Sequence, residues 1–479
     1  MIQGYNPRTG EPTGAPVPET TGDEVDAAVA AAVAAYPAWA GSTPGDRATA
    51  LEAVADALDA RTADLVAVAD AETALGAGRL TGEVARASGQ LRLFAGVLRD
   101  GSYLDPVVSP AAGAAPDIRR VNRPVGPAAV FAASNFPFAF SVPGGDTASA
   151  LAAGCPVVVK AHEAHPGTSV VTAAIIVAAL ESAGAPSGTF GIVYGVEAGL
   201  RLLRHPAISA AGFTGSTAGG LALGRLCADR DVPIPFFGEL GSVNPGVVLP
   251  GAAASRTDQV AAGYVASLTQ GAGQFCTNPG LLFVPEEPAL LTAIGAAVAE
   301  SSGGPMLSGR IFAGFQDAVA ATAAQPGVTG LASGRAGEGP WGATPRVFSV
   351  ALKEFTGSLA REQFGPAGVI VTYPSVADLL PVLAALPGNL AASLHLSGPD
   401  DLTLARDLLP VLERIAGRII VDGWPTGVAV VAAQQHGGPY PATTAPAFTS
   451  VGTAAIRRWL VPVAYQNFPA ELLPSALTA

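Results

Sequence analysis

Between Gly126 and Gly251, short apolar runs alternate four times with segments of helical periodicity. The successive pairs read GPAAVFAAS and DTASALAAG, PVVVKAH and TSVVTAAIIVAALESAG, GTFGIVYG and EAGLRLLRHP, and ISAAGFTGS and TAGGLALGRLCADR. Strands and helices that alternate at this spacing predict an open parallel sheet that is covered by helices on both faces. Ligands of such sheets bind at the carboxyl ends of the strands, so functional residues are expected there.

Other patterns precede and follow this alternation. From Thr21 to about Ala87, Ala and Leu recur at helical spacing between acidic residues, which predicts two or three amphipathic helices. From about Ser255 to Asp422, strand-like runs and Ala-rich helical segments return and predict a second α/β domain. The final VGTAAIRRWLVPVAYQNFPAELLP has no helical period and is typical of a strand that pairs outside its own domain. An oligomer is therefore expected.

Length and charge exclude several classes of protein. The 479 residues are too many for one ordinary domain and predict two or three. A net charge of −12 repels a phosphate backbone, so we expect no nucleic-acid partner. The long apolar runs are broken by Gly, Pro or charge, and the N-terminal MIQGYNPRTGEP lacks a basic region followed by an apolar stretch. We therefore expect neither a membrane span nor a secretory signal.

Cysteine usage indicates a reducing compartment. The three cysteines, Cys155, Cys227 and Cys276, are far apart, form no CxxC pair and have no histidine at zinc-site spacing. Neither a disulfide framework nor a metal site is expected, and the predicted location is the cytoplasm. Cys276 lies in GAGQFCTNPG, among small and turn-forming residues where a thiol can be exposed. The other two lie in apolar or helical runs that are typical of packing residues.

Two further side chains could assist chemistry at a thiol. Glu239, in PIPFFGELGSVNP, is a carboxylate in an apolar strand, where desolvation raises the pKa toward that of a general base. Asn135, in FAASNFPF, follows a strand, and its amide could donate to a developing oxyanion. A glutamate at a strand end is also common at a surface, and an asparagine often caps a turn. These residues alone leave both interpretations open.

Two glycine-rich segments are candidate phosphate sites. GFTGSTAGG, which contains Gly215 and Ser216, follows an apolar run and precedes a helix, so it places backbone N–H groups at a helix N-terminus. An ordinary strand-to-helix turn has the same composition. GEGPWG, from Gly337 to Gly342, matches the GxGxxG expression but has no strand before it and no helix after it. We interpret it as a loop.

Taken together and in order, five segments resemble the aldehyde dehydrogenase superfamily. They are ASNFPFAFSVPGGDTASALAAGCPVVVK, GFTGS, FFGELG, GQFCTN and EQFGP. The resemblance extends over most of the chain, and five ordered motifs are far more specific than any one of them. Longer segments, including FFGELGSVNP, GQFCTNPG, HGGPYPAT and VAYQNFP, are similar to the branch that contains 2-oxoglutarate semialdehyde dehydrogenases.

The resemblance implies an α/β, aldehyde dehydrogenase-like fold in three parts. An open parallel-sheet, Rossmann-type NAD(P)-binding domain would comprise residues 1–105 and 126–251. An α/β catalytic domain would comprise residues 252–440, and a small β oligomerisation element would comprise residues 106–125 and 441–479. A homodimer or a homotetramer is expected.

The resemblance also implies catalytic roles. Cys276 would attack the aldehyde carbon to form a thiohemiacetal, which becomes a thioester when hydride leaves to the nicotinamide. Asn135 and the backbone N–H of Cys276 would hold the oxyanion, and Glu239 would activate the water that releases the acid. Glu362, in REQFGP, would bind the nicotinamide ribose, with Phe364 beside the ring.

The remaining implied roles concern the adenosine half of the cofactor. Lys160 is one of only two lysines in the chain and matches the position that contacts the adenosine ribose. Ser216 and the backbone of Gly215 would meet the pyrophosphate. Glu163 would accept hydrogen bonds from the ribose hydroxyls and repel a 2′-phosphate, which favours NAD. Members of the branch often use NADP, so the expected cofactor is NAD or NADP.

The implied reaction is the oxidation of a small semialdehyde, such as 2,5-dioxopentanoate to 2-oxoglutarate. One alternative is an aldehyde dehydrogenase that transfers the acyl group to coenzyme A, but such an enzyme does not need Glu239. Another is a cofactor-independent thiol hydrolase that uses Cys276 with His436. We interpret His436, in QQHGGPYP, as a packing residue of a Gly/Pro loop rather than as a base.

Overall fold

Two large sheets and two small ones form the framework of the computed structural model, which describes residues 1–478. The strands are β1 (Ile2–Tyr5), β2 (Pro12–Val17), β3 (Val107–Ser109), β4 (Ile118–Pro124), β5 (Ala128–Phe131), β6 (Val157–Lys160), β7 (Phe190–Val193), β8 (Ala210–Thr214), β9 (Phe236–Glu239), β10 (Gly246–Val248), β11 (Leu281–Pro285), β12 (Thr329–Ser333), β13 (Arg346–Ala351), β14 (Ala367–Tyr373), β15 (Asn389–His395), β16 (Ala416–Val421) and β17 (Leu460–Gln466).

Helices pack against the sheets along most of the chain. They are α1 (Gly22–Gly41), α2 (Pro44–Ala60), α3 (Thr62–Thr73), α4 (Ala77–Asp100), α5 (Gly145–Ala153), α6 (Pro166–Ser182), α7 (Val196–Arg204), α8 (Thr217–Ala228), α9 (Pro250–Ser255), α10 (Thr257–Thr269), α11 (Pro288–Glu300), α12 (Gly309–Ala323), α13 (Val376–Ala384) and α14 (Gly398–Ile415). None of the helices within residues 1–478 has the length and hydropathy needed to cross a bilayer.

The first large sheet has five parallel strands in the order β7-β6-β5-β8-β9. Its strands and the helices α5 to α8 reproduce the alternation predicted from the sequence. From β5 the chain builds outward to β6 and β7, and it then returns to β8 on the other side of β5. The order of the strands therefore reverses between β5 and β8, and this reversal is where open α/β sheets bind their ligands.

The helical opening contains four helices, α1 to α4, rather than the predicted two or three, and it continues to Asp100. Capping boxes at Thr21 and Thr43 begin two of the helices within what reads as one alanine-rich stretch. Apolar residues of α2 to α4 share one hydrophobic core with β5, β6 and α5. The opening thus packs on the first sheet, and α4 reaches the carboxyl ends of its strands.

The second large sheet has seven strands in the order β12-β13-β14-β11-β10-β15-β16, and all neighbours except β12 and β13 are parallel. Strand β10 pairs with β11 and β15 in this sheet, whereas the sequence prediction placed residues up to 251 with the first sheet. The physical reason is that β9 and β10 are both short, apolar and buried on both faces. Their sequences therefore do not indicate that β10 belongs to a different sheet from β9.

A three-stranded antiparallel sheet, in the order β17-β4-β3, carries the end of the chain. Strand β17 pairs along its whole length with β4, from Leu460 opposite Pro124 to Gln466 opposite Ile118. The tail therefore forms a strand as predicted, while its pairing outside its own domain stays a prediction. The residues just before it behave differently. Trp459 is fully buried in the core of the first sheet, where its indole N–H donates to Ser149 Oγ at 2.8 Å. The predicted element 441–479 therefore includes a segment of that core.

Candidate active site

Four of the predicted site residues lie at one edge of the five-stranded sheet. Asn135 follows β5, Lys160 ends β6, Ser216 follows β8 and Glu239 ends β9. Because these strands are parallel, their carboxyl ends all meet at the same edge. The structure thus brings together residues that are far apart in the sequence, as the predicted sheet required.

The loop that carries Cys276 begins with an abrupt change of backbone direction after α10. Gly271, Ala272 and Gly273 have φ values of 56°, 55° and 69°, in the left-handed region that an alanine rarely adopts. A side chain at Gly273 would collide with the backbone of Gly365. This turn presents Cys276 as a half-buried thiol and packs its loop against the EQFGP segment.

Cys276 contacts a buried histidine and carboxylate. Its Sγ lies 3.7 Å from Nε2 of His436, and that Nε2 lies 3.1 Å from Oε2 of Glu239. The same carboxylate oxygen accepts a hydrogen bond from Ser450 Oγ at 3.1 Å, while Oε1 is buried without a partner. The interpretation of His436 as a packing residue alone is therefore corrected, because its imidazole lies between the thiol and the carboxylate.

The three donor atoms of Glu239, Cys276 and His436 lie within 4.8 Å of one another. A thiol, an imidazole and a carboxylate in this arrangement are the parts of a thiol nucleophile with its base. They are also ligands that a divalent metal ion accepts. The sequence-based expectation that the chain holds no metal therefore stays a prediction.

The charge state of Glu239 suits a base. Burial raises the pKa of its carboxyl, but the charge that His436 carries when it is protonated and hydrogen bonds from His436, Cys276 and Ser450 together outweigh burial and hold the pKa below the ordinary value. The sequence analysis expected desolvation to raise this pKa, and the direction is the opposite because the polar partners could not be seen. Glu239 is therefore an anion at neutral pH.

The pKa of the Cys276 thiol is shifted in the opposite direction. Burial raises its pKa well above the ordinary range, and the charges of Glu239 and Glu362 add to this effect, while Arg86 lowers it. The resting group is thus a protonated thiol, and a thiolate forms only as its proton passes to an acceptor. Burial also raises the pKa of Cys155 and of Cys227 to about 12, but neither of these thiols lies near the glutamate and histidine.

Asn135 is held against the cysteine loop. Its side-chain Nδ2 donates to the backbone oxygen of Gln274, two residues before Cys276, at 3.0 Å. Its own backbone oxygen accepts from Arg79 Nη2 at 2.6 Å. The amide therefore has one N–H engaged at the cysteine loop and a second that donates to no residue within 1–478. This position suits an oxyanion donor, which is one of the two roles that the sequence left open.

A cavity of about 230 Å³ opens in front of the thiol. Its wall combines three phenylalanine rings with Arg79, Glu83 and Arg86, which all lie on α4. The residues that form it are Arg79, Gly82, Glu83, Arg86, Phe136, Phe140, Gln270, Phe275, Cys276, Thr277, Gly427, Val428 and His436. A cavity of this size accepts a small aldehyde with its reacting carbon at Cys276.

Lys160 and Glu163 form an ion pair at the carboxyl edge of the sheet, with most of the lysine buried. Next to them, Ser216 caps α8 by accepting a hydrogen bond from the Gly219 N–H at 3.2 Å. The N–H of Gly215 is not free as expected, because it donates to the Glu239 carbonyl at 3.1 Å. A lysine, a helix N-terminus and a glycine turn at the reversal of strand order fit a dinucleotide phosphate and ribose.

Glu362 lies on the other side of this edge. A side chain at Gly241 would collide with Oε2 of Glu362, so the glycine at this position leaves room for the Glu362 carboxyl group. Burial raises the pKa of Glu362 to about 8, which a hydrogen bond from the Ser242 backbone opposes and the charge of Glu239 reinforces. A carboxyl that is mostly protonated at neutral pH can both donate to and accept from a ribose hydroxyl. Phe364 follows two residues later and is half-buried.

The sequence analysis missed the charged face of α4. Arg79, Glu83 and Arg86 are spaced by four and three residues, so they lie on one helical face. That spacing was the available signal, but charges at helical spacing usually face solvent. The GEGPWG segment, in contrast, lies between β12 and β13 without helix or strand, so its interpretation as a loop is confirmed.

Known proteins that are similar to this chain identify its family. The model described as aldehyde dehydrogenase family matches residues 1–395. Over 99% of this chain, the sequence is 45% identical to α-ketoglutaric semialdehyde dehydrogenase 2 of Azospirillum brasilense, covering 93% of that protein. It is 42% identical to α-ketoglutaric semialdehyde dehydrogenase of Acinetobacter baylyi, covering 99% of this chain and 92% of that one.

Among solved structures, 1-pyrroline-5-carboxylate dehydrogenase from Thermus with bound NAD is similar with a TM-score of 0.83 and 23% identity, over 97% of this chain and 89% of that one. This likeness confirms the predicted α/β, aldehyde dehydrogenase-like fold. The matched family model spans most of the chain, and the relatives match almost its full length. The chain belongs to the aldehyde dehydrogenase family.

Proposed function

We propose that this enzyme oxidises a semialdehyde that carries a carboxylate, and that its substrate is 2,5-dioxopentanoate, the semialdehyde of 2-oxoglutarate. Membership of the family makes the protein an NAD(P)-dependent oxidoreductase of the aldehyde group. The names of its two relatives support the substrate. The observation that carries the proposal is the cavity itself, which holds Arg79 and Arg86 in front of the Cys276 thiol.

In the first step, Sγ of Cys276 attacks the aldehyde carbon to form a thiohemiacetal. The thiol proton passes to His436, whose Nε2 lies 3.7 Å away and carries no proton before this step, and the imidazolium that forms is paired with Glu239. The second N–H of the Asn135 amide and the backbone N–H of Cys276 donate to the carbonyl oxygen as it gains charge. Each such donor lowers the barrier by about 3 kcal/mol.

NAD or NADP would supply the hydride acceptor that the oxidation requires, and the Cys276 thiohemiacetal would thereby become a thioester. Lys160, Glu163 and Ser216 would hold the adenosine half of the dinucleotide, and Glu362 with Phe364 would hold the nicotinamide half. Glu239 then takes a proton from water as the water oxygen attacks the thioester carbon. The carbon–sulfur bond breaks, the carboxylic acid leaves, and Cys276 regains its proton.

Thiol hydrolysis is a second candidate, and the 3.7 Å contact between Cys276 and His436 favours it because a cysteine hydrolase needs such a pair. A hydrolase acts on esters or thioesters without a dinucleotide. Transfer to coenzyme A is less favoured, because a transferase has no use for the buried Glu239 carboxylate beside the thiol. Omission of the dinucleotide from the reaction separates oxidation from hydrolysis.

Purified enzyme with 2,5-dioxopentanoate is expected to form reduced nicotinamide with kcat/KM about tenfold or more above that for pentanal, a five-carbon aldehyde without the carboxylate. A cationic cavity gains an ion pair only with the first substrate. Absorbance of reduced nicotinamide measures both rates with NAD and with NADP. Equal kcat/KM values for the two aldehydes would contradict the proposed substrate.

Replacement of Glu163 by glutamine is expected to raise the ratio of kcat/KM with NADP to that with NAD by about tenfold, or 1.4 kcal/mol. The substitution removes a carboxylate that repels a 2′-phosphate and leaves Lys160 to attract it. Steady-state rates with each dinucleotide measure the ratio. Glu181→Gln, at an exposed position near the end of α6, is the matched control. An unchanged ratio in Glu163→Gln excludes Glu163 from cofactor discrimination.

We also propose that the two large sheets correspond to an NAD(P)-binding and a catalytic domain, and that the three-stranded sheet assembles subunits into a homodimer or homotetramer. Exposed apolar side chains on that sheet support the assembly: Val107, Val108, Ile118, Val461 and Val463. The three cysteines are unpaired, which supports a cytoplasmic location.

A further inference from the structure

Arg86, on α4, is a mostly buried cation whose nitrogens lack acceptors. Its Nε and Nη2 are shielded from solvent, and no residue within 1–478 accepts a hydrogen bond from either. The guanidinium instead lies over two aromatic rings, 5.9 Å from the centroid of Phe136 and 5.3 Å from that of Phe140. Buried donors without partners are rare and commonly mark the place of a ligand. An anion is the ligand that such a group lacks.

The neighbouring Arg79 is engaged through two of its three nitrogens, while its Nη1 is buried without a partner. Its Nε pairs with Glu83 Oε1 at 3.0 Å, and its Nη2 donates to the backbone oxygen of Asn135 at 2.6 Å. Arg79 therefore fixes the asparagine loop and has its charge offset by Glu83. Arg86 has no carboxylate within ion-pair distance among the described residues. The uncompensated charge of the cavity thus belongs to Arg86.

Arg201 makes the paired hydrogen bonds to a carboxylate that Arg86 lacks. Nε and Nη2 of Arg201 donate to the two carboxylate oxygens of Asp26 at 2.9 and 2.5 Å. This paired contact is the geometry in which a planar guanidinium binds a carboxylate most strongly. The corresponding two nitrogens of Arg86 are the ones without partners.

Arg86 and the thiol belong to one cavity, connected by a short series of contacts. The guanidinium lies over Phe140, the ring of Phe140 is 6.0 Å from the ring of His436, and His436 touches Cys276 Sγ. The carboxyl of Glu83 pairs with Arg79 and forms no ion pair with Arg86. A molecule of a few carbon atoms can therefore reach from the thiol to the cation.

We propose that the guanidinium of Arg86 binds the carboxylate of the substrate and so directs the aldehyde at the other end of the molecule to Cys276. This inference rests on the proposed function, because it requires a substrate that carries a carboxylate. Arg86 thereby determines specificity without taking part in bond making. An uncharged aldehyde leaves the buried guanidinium unpaired and is selected against for that reason.

Two variants of the full-length enzyme test this role. Arg86→Met, which keeps the length but removes the charge, is expected to lower kcat/KM for 2,5-dioxopentanoate about 100-fold, mainly through KM. For pentanal the loss is expected to be at least tenfold smaller, because pentanal has no group for Arg86 to bind and loses only the effect of the Arg86 charge on the pKa of the Cys276 thiol. Arg86→Lys keeps the charge but not the planar fork, and a loss of about tenfold is expected for the semialdehyde alone. Competitive inhibition by glutarate is expected to weaken in parallel.

The matched control is Arg99→Met, on the same helix, where an exposed arginine pairs with Glu52 outside the cavity. It should leave kcat/KM for both aldehydes unchanged. Equal losses on both aldehydes in the Arg86 variants, or no loss on either, would overturn the role of Arg86. Should Arg86→Met fail to fold, Arg86→Lys decides by the same criterion. A wild-type enzyme without preference for the semialdehyde overturns instead the proposed substrate, and with it this inference.

Discussion

Replacement of Cys276 by alanine is expected to abolish formation of reduced nicotinamide, with kcat reduced by about 10⁴-fold or more. Without the sulfur there is no covalent intermediate from which hydride can leave, and the oxyanion donors have no tetrahedral centre to stabilise. The measurement is the rate of reduced nicotinamide formation with saturating 2,5-dioxopentanoate and either dinucleotide. Binding of added reduced dinucleotide, measured by its fluorescence, should be unaffected.

Cys227→Ala is the control for a lost thiol. Cys227 is buried on α8, within the core of the same five-stranded sheet, and its pKa of about 12 leaves it unreactive. Its replacement removes a small apolar group and should leave kcat within about twofold. Turnover by Cys276→Ala at more than a tenth of the wild-type rate would remove the thiol from the mechanism.

The parallel sheet and its functional edge could be predicted because the information is local. Each strand of the first sheet is a short apolar run, and each helix after it has its own period, so strand and helix alternate in plain sequence. Parallel pairing then fixes which residues share an edge. Asn135, Lys160, Ser216 and Glu239 lie at that edge in the structure, but their grouping as one site came from the resemblance to the aldehyde dehydrogenase superfamily.

The boundaries between sheets could not be predicted, because they depend on which strands pair. Strand β10 looks like any other buried strand, and only its partners β11 and β15 assign it to the second sheet. The location of Trp459 in the core of the first sheet could not be predicted for the same reason. A tryptophan in an apolar tail suits an interface as well as a core, and its contact with Ser149 crosses some three hundred residues.

The parts of the site that sequence reasoning missed all come from distant segments. His436 lies in a Gly/Pro loop 160 residues after Cys276, and nothing local indicates that its ring touches the thiol. Arg86 lies on a helix that reads as an ordinary amphipathic one. Its missing partners become visible only once the neighbouring rings and the cavity are in place. A binding group that is recognised by its lack of a hydrogen-bond partner therefore cannot be identified from the sequence alone.

Replacement of Glu239 by glutamine is expected to lower kcat by about 10³-fold while leaving a burst of about one reduced nicotinamide per active site. Acylation survives because His436 still lies 3.7 Å from the thiol and can accept its proton. Hydrolysis of the thioester slows because an amide cannot take a proton from water. Rapid mixing with 2,5-dioxopentanoate and saturating dinucleotide measures the burst and the slow phase separately.

The pH dependence distinguishes this role from a purely structural one. Because the pKa of Glu239 is held below its ordinary value, the wild-type enzyme keeps its base as pH falls through the usual carboxyl range, and its kcat should be flat near neutrality. Hydroxide must replace the base in Glu239→Gln, so the residual kcat should rise by about tenfold per pH unit. A variant without a burst would show instead that Glu239 acts before hydride transfer, as the acceptor of the Cys276 proton. His436 would then orient that carboxylate, and Glu239 rather than His436 would be the acceptor of the thiol proton in the first step.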